Sequence, residues 1–184
     1  SFFSKTLMGA TTALLLATTS TLAIAQDRPD LVVGVADLPA TLEPGKELSN
    51  VGTRVNYNIF DTLIRRDFLS AEGGGGSVLV PGLATEWSRL DELTLEVKLR
   101  DDVTFHNGAP LTAEDVVFTF SPERLSGESA ILPEGPAYFS VLAEVKAIDD
   151  HTVHFITKAA DPLLEHRISS WASWIVNKAD WEAK

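Results

Sequence analysis

The stretch between residues 93 and 120 constrains the fold of this chain more than any other. Apolar and polar residues alternate from Leu93 to Arg100, which predicts a β-strand with one buried face and one face in water. His106-Asn107-Gly108 predicts a tight turn, because Asn and Gly tolerate a positive φ. The order of these signals favours a strand that is followed by a turn and then by a second element.

The second element is predicted to be a helix that begins near Thr112. Thr112 and Asp115 have the spacing of a capping box, in which the first and fourth residues exchange hydrogen bonds. The apolar residues that follow at helical spacing are Val116, Val117 and Phe120. Capping and turn chemistry explain each polar residue of the stretch, so we expect it to be structural.

Composition excludes several classes of function. The chain of 184 residues has a net charge of -11, and no cluster of basic residues is longer than Arg65-Arg66. A nucleic-acid surface needs a cationic footprint, so none is expected here. The absence of Cys excludes disulfides, thiolate metal ligands and a thiol nucleophile.

The first residues have the pattern of a cleaved signal peptide. Lys5 is followed by no charged residue until Asp27, and Ala23-Ile24-Ala25 is a small-x-small cleavage pattern. We predict that residues 1–25 are a signal peptide and that the mature chain begins at Gln26. The alternative is a transmembrane anchor, although the Thr residues in the uncharged span make a weak one.

Further elements are predicted on both sides of the central stretch. Leu31–Ala36 has the composition of a buried strand, and an apolar residue at every fourth position predicts a helix that Ser49 or Asn50 caps. The residues at that spacing are Val51, Val55, Ile59 and Leu63. Residues 141–148 and 152–157 predict a hairpin across Asp149-Asp150.

The glycine run at Gly73–Ser77 has two interpretations. A flexible linker between domains is one, because glycine- and serine-rich segments behave as random coils. The flanking residues, 64–67 and 78–80, have the pattern of two strands, which favours the tip of a single hairpin instead. We predict the hairpin.

No set of residues requires catalysis or a metal. His151 and His154 are three residues apart on a predicted strand, so their side chains should point to opposite faces. Glu114 and Asp115 are neighbours on a helix and diverge, and the chain contains neither a nucleophile elbow nor a phosphate-binding loop. We therefore predict no catalytic residue, no metal ligand and no cofactor.

Several motifs are found together in this order along the chain. They are Leu42-Glu43-Pro44, Asn56–Leu63, Pro81–Trp87, Leu99-Arg100, Phe105–Gly108, Pro110–Val116, Val145–Phe155 and Trp174–Lys178. This set resembles the family 5 extracellular solute-binding proteins, which are the peptide, dipeptide and nickel receptors of bacterial ABC importers. Glu43 and Asn107 each replace the Asp that is common in the family, and Asn177 replaces a Pro. We expect the change at Glu43 to affect only a local hydrogen bond in its loop.

The resemblance implies a fold and its division into domains. The fold is a mixed α/β (α+β) arrangement like that of type II periplasmic binding proteins, and it is incomplete. After the signal peptide, residues 26–60 would be the first segment of lobe I and residues 61–175 an inserted small β-rich subdomain. Residues 176–184 would begin the return to lobe I.

The resemblance also implies three loops that contact a ligand. They contribute Ser49 and Asn50, then Tyr138, and finally Ser170 and Trp171. Each of these residues has a structural alternative. Ser49 and Asn50 could serve only as helix caps, Tyr138 could be a core aromatic, and Trp171 could be needed only for packing.

The function that the resemblance implies is capture of a peptide or a similar small solute in the periplasm. The partners would be that ligand and the ABC permease at the inner membrane. Neither nucleic acid nor a second copy of the chain is expected, so the protein would be a monomer. Two alternatives remain: a secreted enzyme whose catalytic residues lie beyond Lys184, and a ligand-sensing domain of the same fold.

Overall fold

The computed structural model describes residues 31–47, 49–70, 75–132 and 134–183. The chain divides into two compact units, Ser1–Gly34 and Val35–Lys184, and only residues 31–34 of the first unit are described. The predicted signal peptide at residues 1–25 lies outside the described residues. All the helices and strands below belong to the second unit.

Helices and strands are mixed along the second unit, which confirms the predicted fold class. The helices are α1 (Asn50–Ile59), α2 (Ala113–Thr119), α3 (Gly135–Phe139), α4 (Leu164–Arg167) and α5 (Lys178–Glu182), with a π-helical turn at Pro122–Ser126. The strands are β1 (Ile64–Arg66), β2 (Leu79–Pro81), β3 (Ala84–Arg89), β4 (Thr94–Leu99), β5 (Leu142–Asp149) and β6 (Thr152–Thr157). Across the described ranges, no helix has the length and apolar character that a membrane span requires.

Four antiparallel strands form the main sheet, in the order β3-β4-β6-β5. In its centre Leu95 lies opposite Phe155 and Val97 lies opposite Val153, and all four side chains are fully buried. The alternation predicted for this strand is therefore confirmed. Leu93 is the exception, because it precedes β4 and is exposed.

Helix α2 packs against β5 and β6 of the main sheet. The backbone N–H and the hydroxyl of Thr112 both donate to Oδ2 of Asp115, at 3.0 and 2.9 Å, which confirms the predicted pairing of these two residues. At the end of the helix, the Phe120 ring lies edge-on to Phe155 and Phe139, with centroids 5.1 and 5.2 Å apart. These aromatic contacts join the helix, the sheet and α3 in one core.

The turn before α2 forms as the sequence predicts. Gly108 has a φ of 84°, and the side-chain oxygen of Asn107 accepts a hydrogen bond from the Ala109 N–H at 2.9 Å. Asn107 therefore performs the role expected of the Asp that is common at this position.

Both predicted hairpins are confirmed. β1 and β2 are antiparallel, with Ile64 opposite Pro81, so the glycine-containing segment joins two strands rather than two domains. Residues 71–74 of that segment lie outside the described residues. β5 and β6 also pair, and the Asp149 carboxylate accepts the His151 N–H at 2.8 Å in the turn between them.

The predicted strand at Leu31–Ala36 is wrong. Residues 31–36 have no regular structure, and Leu31 and Val32 are 87% and 90% exposed. Neither sheet in the described part of the chain includes these residues. A strand is stabilised by its ladder of hydrogen bonds to a neighbour, so an apolar composition alone does not produce one.

Helix α1 exists as predicted, and the Ser49 hydroxyl caps it by accepting the Gly52 N–H at 3.0 Å. The buried residues of the helix are Gly52, Thr53 and Asn56. Of the residues at the apolar spacing, Val51 and Val55 are half-buried, Ile59 is exposed, and Leu63 is buried but lies beyond the helix. Glu47 approaches the helix closely, since its Cγ lies only 1.9 Å from where a Cβ on Gly52 would be.

Candidate functional site

An open groove of about 910 Å³ lies between three parts of the second unit. One side comes from residues 41–46 before α1, a second from the turn at residues 103–107, and a third from residues 175–182 at and beyond the return segment. Its lining is mainly apolar and includes Leu42, Phe60, Val103, Phe105, Leu132, Ile175 and Trp181. Grooves of this volume are typical of ligand sites and of surfaces that another polypeptide segment covers.

Glu43 joins three distant parts of the chain beside this groove. Its Oε1 forms an ion pair with the guanidinium of Arg124, and its Oε2 accepts the indole N–H of Trp181 at 2.9 Å. The Arg124 side chain is only 1% exposed, and it also donates to the Thr119 carbonyl at 2.9 Å. Burial lowers the pKa of Arg124, and the charge of Glu43 opposes that shift.

The expectation of a purely local role for Glu43 is therefore wrong. A local bond does exist, since the Gly45 N–H donates to the same carboxylate at 3.3 Å. The longer contacts decide the role, because a buried guanidinium requires a carboxylate partner. The sequence gives no sign of this pairing, since Arg124 lies in a Pro- and Ser-rich segment without a periodic pattern.

Asp115 makes a second junction, between α2 and the return segment. Its Oδ1 accepts hydrogen bonds from the Asn177 side chain at 3.1 Å and from the Lys178 N–H at 2.9 Å. Its other oxygen receives both bonds from Thr112. Asp115 is therefore more than the cap partner that the sequence predicts, because it also fixes the start of α5.

Ser49 and Asn50, the first pair of predicted ligand residues, are exposed at the beginning of α1. The loop before them closes around Glu47, which accepts the N–H of Ala40 at 2.8 Å and that of Ser49 at 3.1 Å. A hydrogen bond from the Ser49 side chain lowers the pKa of Glu47. The loop is thus ordered by an ionised carboxylate that the sequence analysis did not single out.

Tyr138 and Ser170, which come from the other two predicted loops, both form a hydrogen bond with Arg167, Tyr138 with its side chain and Ser170 with its backbone. Tyr138 is half-buried on α3 and packs against the core, and its carbonyl accepts a hydrogen bond of 3.4 Å from Arg167. The Ser170 N–H donates to the Arg167 carbonyl at 3.2 Å. Arg167 thus contacts both loops, which the sequence did not suggest.

Trp171 is 42% exposed and lies on a loop with an unusual backbone. The next residue, Ala172, has a φ of 62°, a left-handed conformation that is costly for a residue with a Cβ. The turn is held by Ser173, whose side chain and N–H both donate to the Ser170 carbonyl. Strained backbone of this kind clusters at ligand clamps, among other functional sites.

The structure connects the segments that carry the predicted residues only in part. The Tyr57 ring on α1 lies edge-on to Trp174, 5.2 Å away, so the helix that Ser49 caps contacts the segment that follows Trp171. None of the five predicted residues lines the open groove. Within the described ranges, no three His, Asp or Glu side chains are grouped so that they could hold a metal ion.

Comparison with known proteins decides the family. The model of the family described as "Bacterial extracellular solute-binding proteins, family 5 Middle" matches residues 78–184, which is more than half of the chain. The chain belongs to this family of solute-binding proteins.

Two curated relatives come from Escherichia coli. The chain is 34% identical over 172 residues to a probable D,D-dipeptide-binding periplasmic protein, DdpA, with 91% of the chain and 31% of the relative covered. It is 27% identical over 175 residues to the periplasmic murein peptide-binding protein MppA, with 85% and 30% covered. The chain thus spans about a third of the length of these relatives.

A solved structure supports the fold at lower sequence identity. The periplasmic binding protein DppA from Helicobacter pylori, in complex with the peptide STSA, superimposes with a TM-score of 0.65. The match has 19% identity and covers 79% of this chain and 30% of that one. The comparison shows that the described chain has the fold of one part of such a receptor.

Proposed function

We propose that this chain is the N-terminal part of a periplasmic receptor that captures peptides for an ABC importer. The observation that carries the proposal is the family match over residues 78–184, together with relatives whose names state peptide binding in the periplasm. The receptor would enclose its ligand by closure of two lobes, and the closed form would then dock on the permease. We expect a monomer without catalytic activity.

The domain division and the export signal are parts of the same proposal. Residues 26–60 and 176–184 would contribute to lobe I, and residues 61–175 would form the inserted subdomain. Residues 1–25 would be removed on export. Sequencing the N-terminus of the secreted receptor should therefore start at Gln26, and recovery of an intact N-terminus in the membrane fraction would contradict this.

The proposed ligand contacts are Ser49, Asn50, Tyr138, Ser170 and Trp171. The exposure of Trp171 and the left-handed backbone beside it support a role beyond packing. Trp171→Ala in the whole receptor should weaken peptide binding by about tenfold, as expected when a large aromatic contact is lost. Phe68→Ala is the control, because Phe68 is also exposed, at 59%, but lies on the β1–β2 hairpin.

Calorimetry with defined peptides tests the function itself. We would titrate the whole receptor with L-Ala-L-Ala, D-Ala-D-Ala and a murein tripeptide, and expect saturable binding of at least one of them. The 184-residue chain alone should not bind, because one wall of a cleft leaves most of a ligand in water. Saturable binding by this chain alone would contradict the two-lobe mechanism.

Two further outcomes would contradict the proposal, and each would favour a different function. Release of peptide fragments during the titration would favour a secreted enzyme. A gene neighbourhood with a histidine kinase, and without permease and ATPase genes, would favour a sensor that uses the same fold.

A further inference from the structure

Arg167, at the end of α4, contacts two separate loops through different atoms. Its guanidinium donates from Nε to the Asp161 carboxylate at 2.8 Å and from a terminal nitrogen to the Tyr138 carbonyl at 3.4 Å. Its own carbonyl accepts the Ser170 N–H at 3.2 Å. One residue therefore connects α3 with the loop that carries Ser170.

Asp161 is held in a fixed position, and it fixes the guanidinium of Arg167 in turn. It is 6% exposed, and its second carboxylate oxygen accepts the Leu163 N–H at 2.9 Å. Its carbonyl accepts a hydrogen bond of 2.7 Å from Arg89, the last residue of β3. Arg167 therefore donates to a carboxylate that is itself attached to the main sheet.

Arg89 fixes α4 to the same sheet by a second route. Its guanidinium holds the Glu165 carboxylate with two hydrogen bonds, of 2.8 and 2.6 Å. Burial raises the pKa of Glu165, but the hydrogen bonds and charge of Arg89, together with a backbone hydrogen bond and the neighbouring His166, lower the pKa overall. Helix α4 thus carries ion pairs at two positions, and of these two arginines only Arg167 also donates to Tyr138, while Ser170 bonds its backbone carbonyl.

We propose that Arg167 is a positioning residue whose side chain holds the Tyr138 loop against α4, and so in one arrangement with the Ser170–Trp171 loop that directly follows α4, for ligand binding. This inference rests on the proposed function, because both loops are proposed there as ligand contacts. Arg167 is not proposed to touch the ligand. Its effect is preorganisation: loops that are already in place lose less conformational entropy when the ligand binds.

The chemistry of the side chain accounts for Arg at this position. A guanidinium offers several N–H donors in a planar fork, so it can serve a carboxylate and a carbonyl at the same time. A Lys would keep the charge next to Asp161 but has only one nitrogen on a flexible stem. Arg167→Lys should therefore retain the ion pair and lose the connection to Tyr138.

The test compares Arg167→Met with Arg100→Met in the whole receptor. Arg100 also pairs with a carboxylate, Asp102, at 2.8 Å, but it follows β4, and that ion pair is remote in the chain from α3, α4 and the Ser170–Trp171 loop. Only Arg167→Met should weaken binding of the dipeptide or tripeptide that the wild type binds, by about tenfold, against less than threefold for Arg100→Met.

Arg167→Lys keeps the test valid if Arg167→Met does not fold. We expect Arg167→Lys to fold and to show most of the loss of affinity that Arg167→Met shows. Equal affinities for the Arg167 and Arg100 variants, or wild-type affinity in Arg167→Lys, would overturn the positioning role.

Hydrogen exchange without ligand separates this inference from the proposed function. In the Arg167 variants, amide exchange should accelerate in residues 137–142, because the Tyr138 carbonyl loses the bond from the guanidinium, and it should not do so in Arg100→Met. The bond from the Ser170 N–H to the carbonyl of residue 167 joins backbone atoms and remains in the variants, so residues 168–174 are the internal reference. If the wild type binds none of the peptides, the proposed function fails, and the exchange result still decides whether the Arg167 side chain fixes the Tyr138 loop to α4. Exchange rates at residues 137–142 that match those of the wild type would overturn the inference.

Discussion

The main sheet and the first segment, defined as residues 31–60, both contain runs of apolar residues, but only the sheet buries them. Leu95, Val97 and Phe155 are fully buried between strands and helices. Leu31 and Leu38 of the first segment are 87% and 78% exposed. The difference shows that an apolar pattern determines structure only where another part of the chain provides the opposing surface.

The first segment depends on polar contacts instead. Glu47 closes its loop through hydrogen bonds to two backbone N–H groups, and Glu43 anchors it to Arg124 and Trp181. Burial of one large apolar side chain contributes about 2 kcal/mol or more, whereas a hydrogen bond contributes only the small net difference between a bond within the protein and a bond to water. We therefore expect the two regions to differ in both the size and the origin of their stability.

The largest expected effect comes from truncating matched leucines in the two regions. Leu95→Ala should reduce the free energy of unfolding by about 2–5 kcal/mol, because it leaves a cavity between fully buried neighbours. Leu31→Ala should change it by less than about 0.5 kcal/mol. Urea denaturation of both variants measures the difference. Similar denaturation midpoints for the two variants would contradict the claim that only the sheet is stabilised by buried apolar residues.

The next largest effect should come from the ion pair of the first segment. Glu43→Gln should cost about 2 kcal/mol, because it leaves the buried Arg124 without a charged partner. The cost is below that of a fully buried pair because the Glu43 side chain is 18% exposed. Glu182→Gln, at an exposed residue of the same groove, is the control. An equal effect of both substitutions would show that the pair contributes nothing specific.

The sequence predicts the elements whose partners are near in the chain. The β5–β6 hairpin and the α2 cap arise from residues only a few positions apart, so alternation and spacing are sufficient for them. The strand predicted at residues 31–36 would need a distant partner, and that prediction is wrong. The close approach of Glu47 to Gly52 has no signature in hydropathy, because it results from backbone geometry.

The candidate site follows the same rule. Family motifs suggest which loops to consider, but they cannot show that Arg167 contacts two of them, since Arg167 and Tyr138 are 29 residues apart. The pairing of Glu43 with Arg124 spans 81 residues and was missed for the same reason. Contacts of this kind depend on the final fold and not on a local pattern.

A smaller effect should come from matched glycines. Gly108 has a positive φ of 84° and no atom near the position of a Cβ, so Gly108→Val should cost about 1–2 kcal/mol from backbone strain alone. Gly34 also has open space around it but no positive φ, so Gly34→Val should have almost no effect. Thermal unfolding of the two variants checks this. A stable Gly108→Val variant would mean that the turn can adopt another conformation.

The smallest expected effect is a dependence of the first segment on pH through Glu47. Hydrogen bonds to its carboxylate lower the pKa of Glu47 in the folded state, so the folded state binds a proton less readily than the unfolded chain. The contribution of Glu47 to stability should therefore be complete above the unfolded pKa of about 4.3, and it should be lost as the pH falls through the lower folded value.

Two measurements on the wild type and on Glu47→Gln test this dependence. The carboxyl carbon of Glu47, followed by NMR, should titrate below the usual range for Glu. Amide exchange at residues 40–47 should be slower in the wild type than in Glu47→Gln at neutral pH, and the difference should vanish in acid. The main sheet should show no such difference, because its strands make no hydrogen bond to Glu47. A titration at or above the ordinary pKa of Glu would remove the electrostatic explanation and leave packing against Gly52 as the role of this side chain.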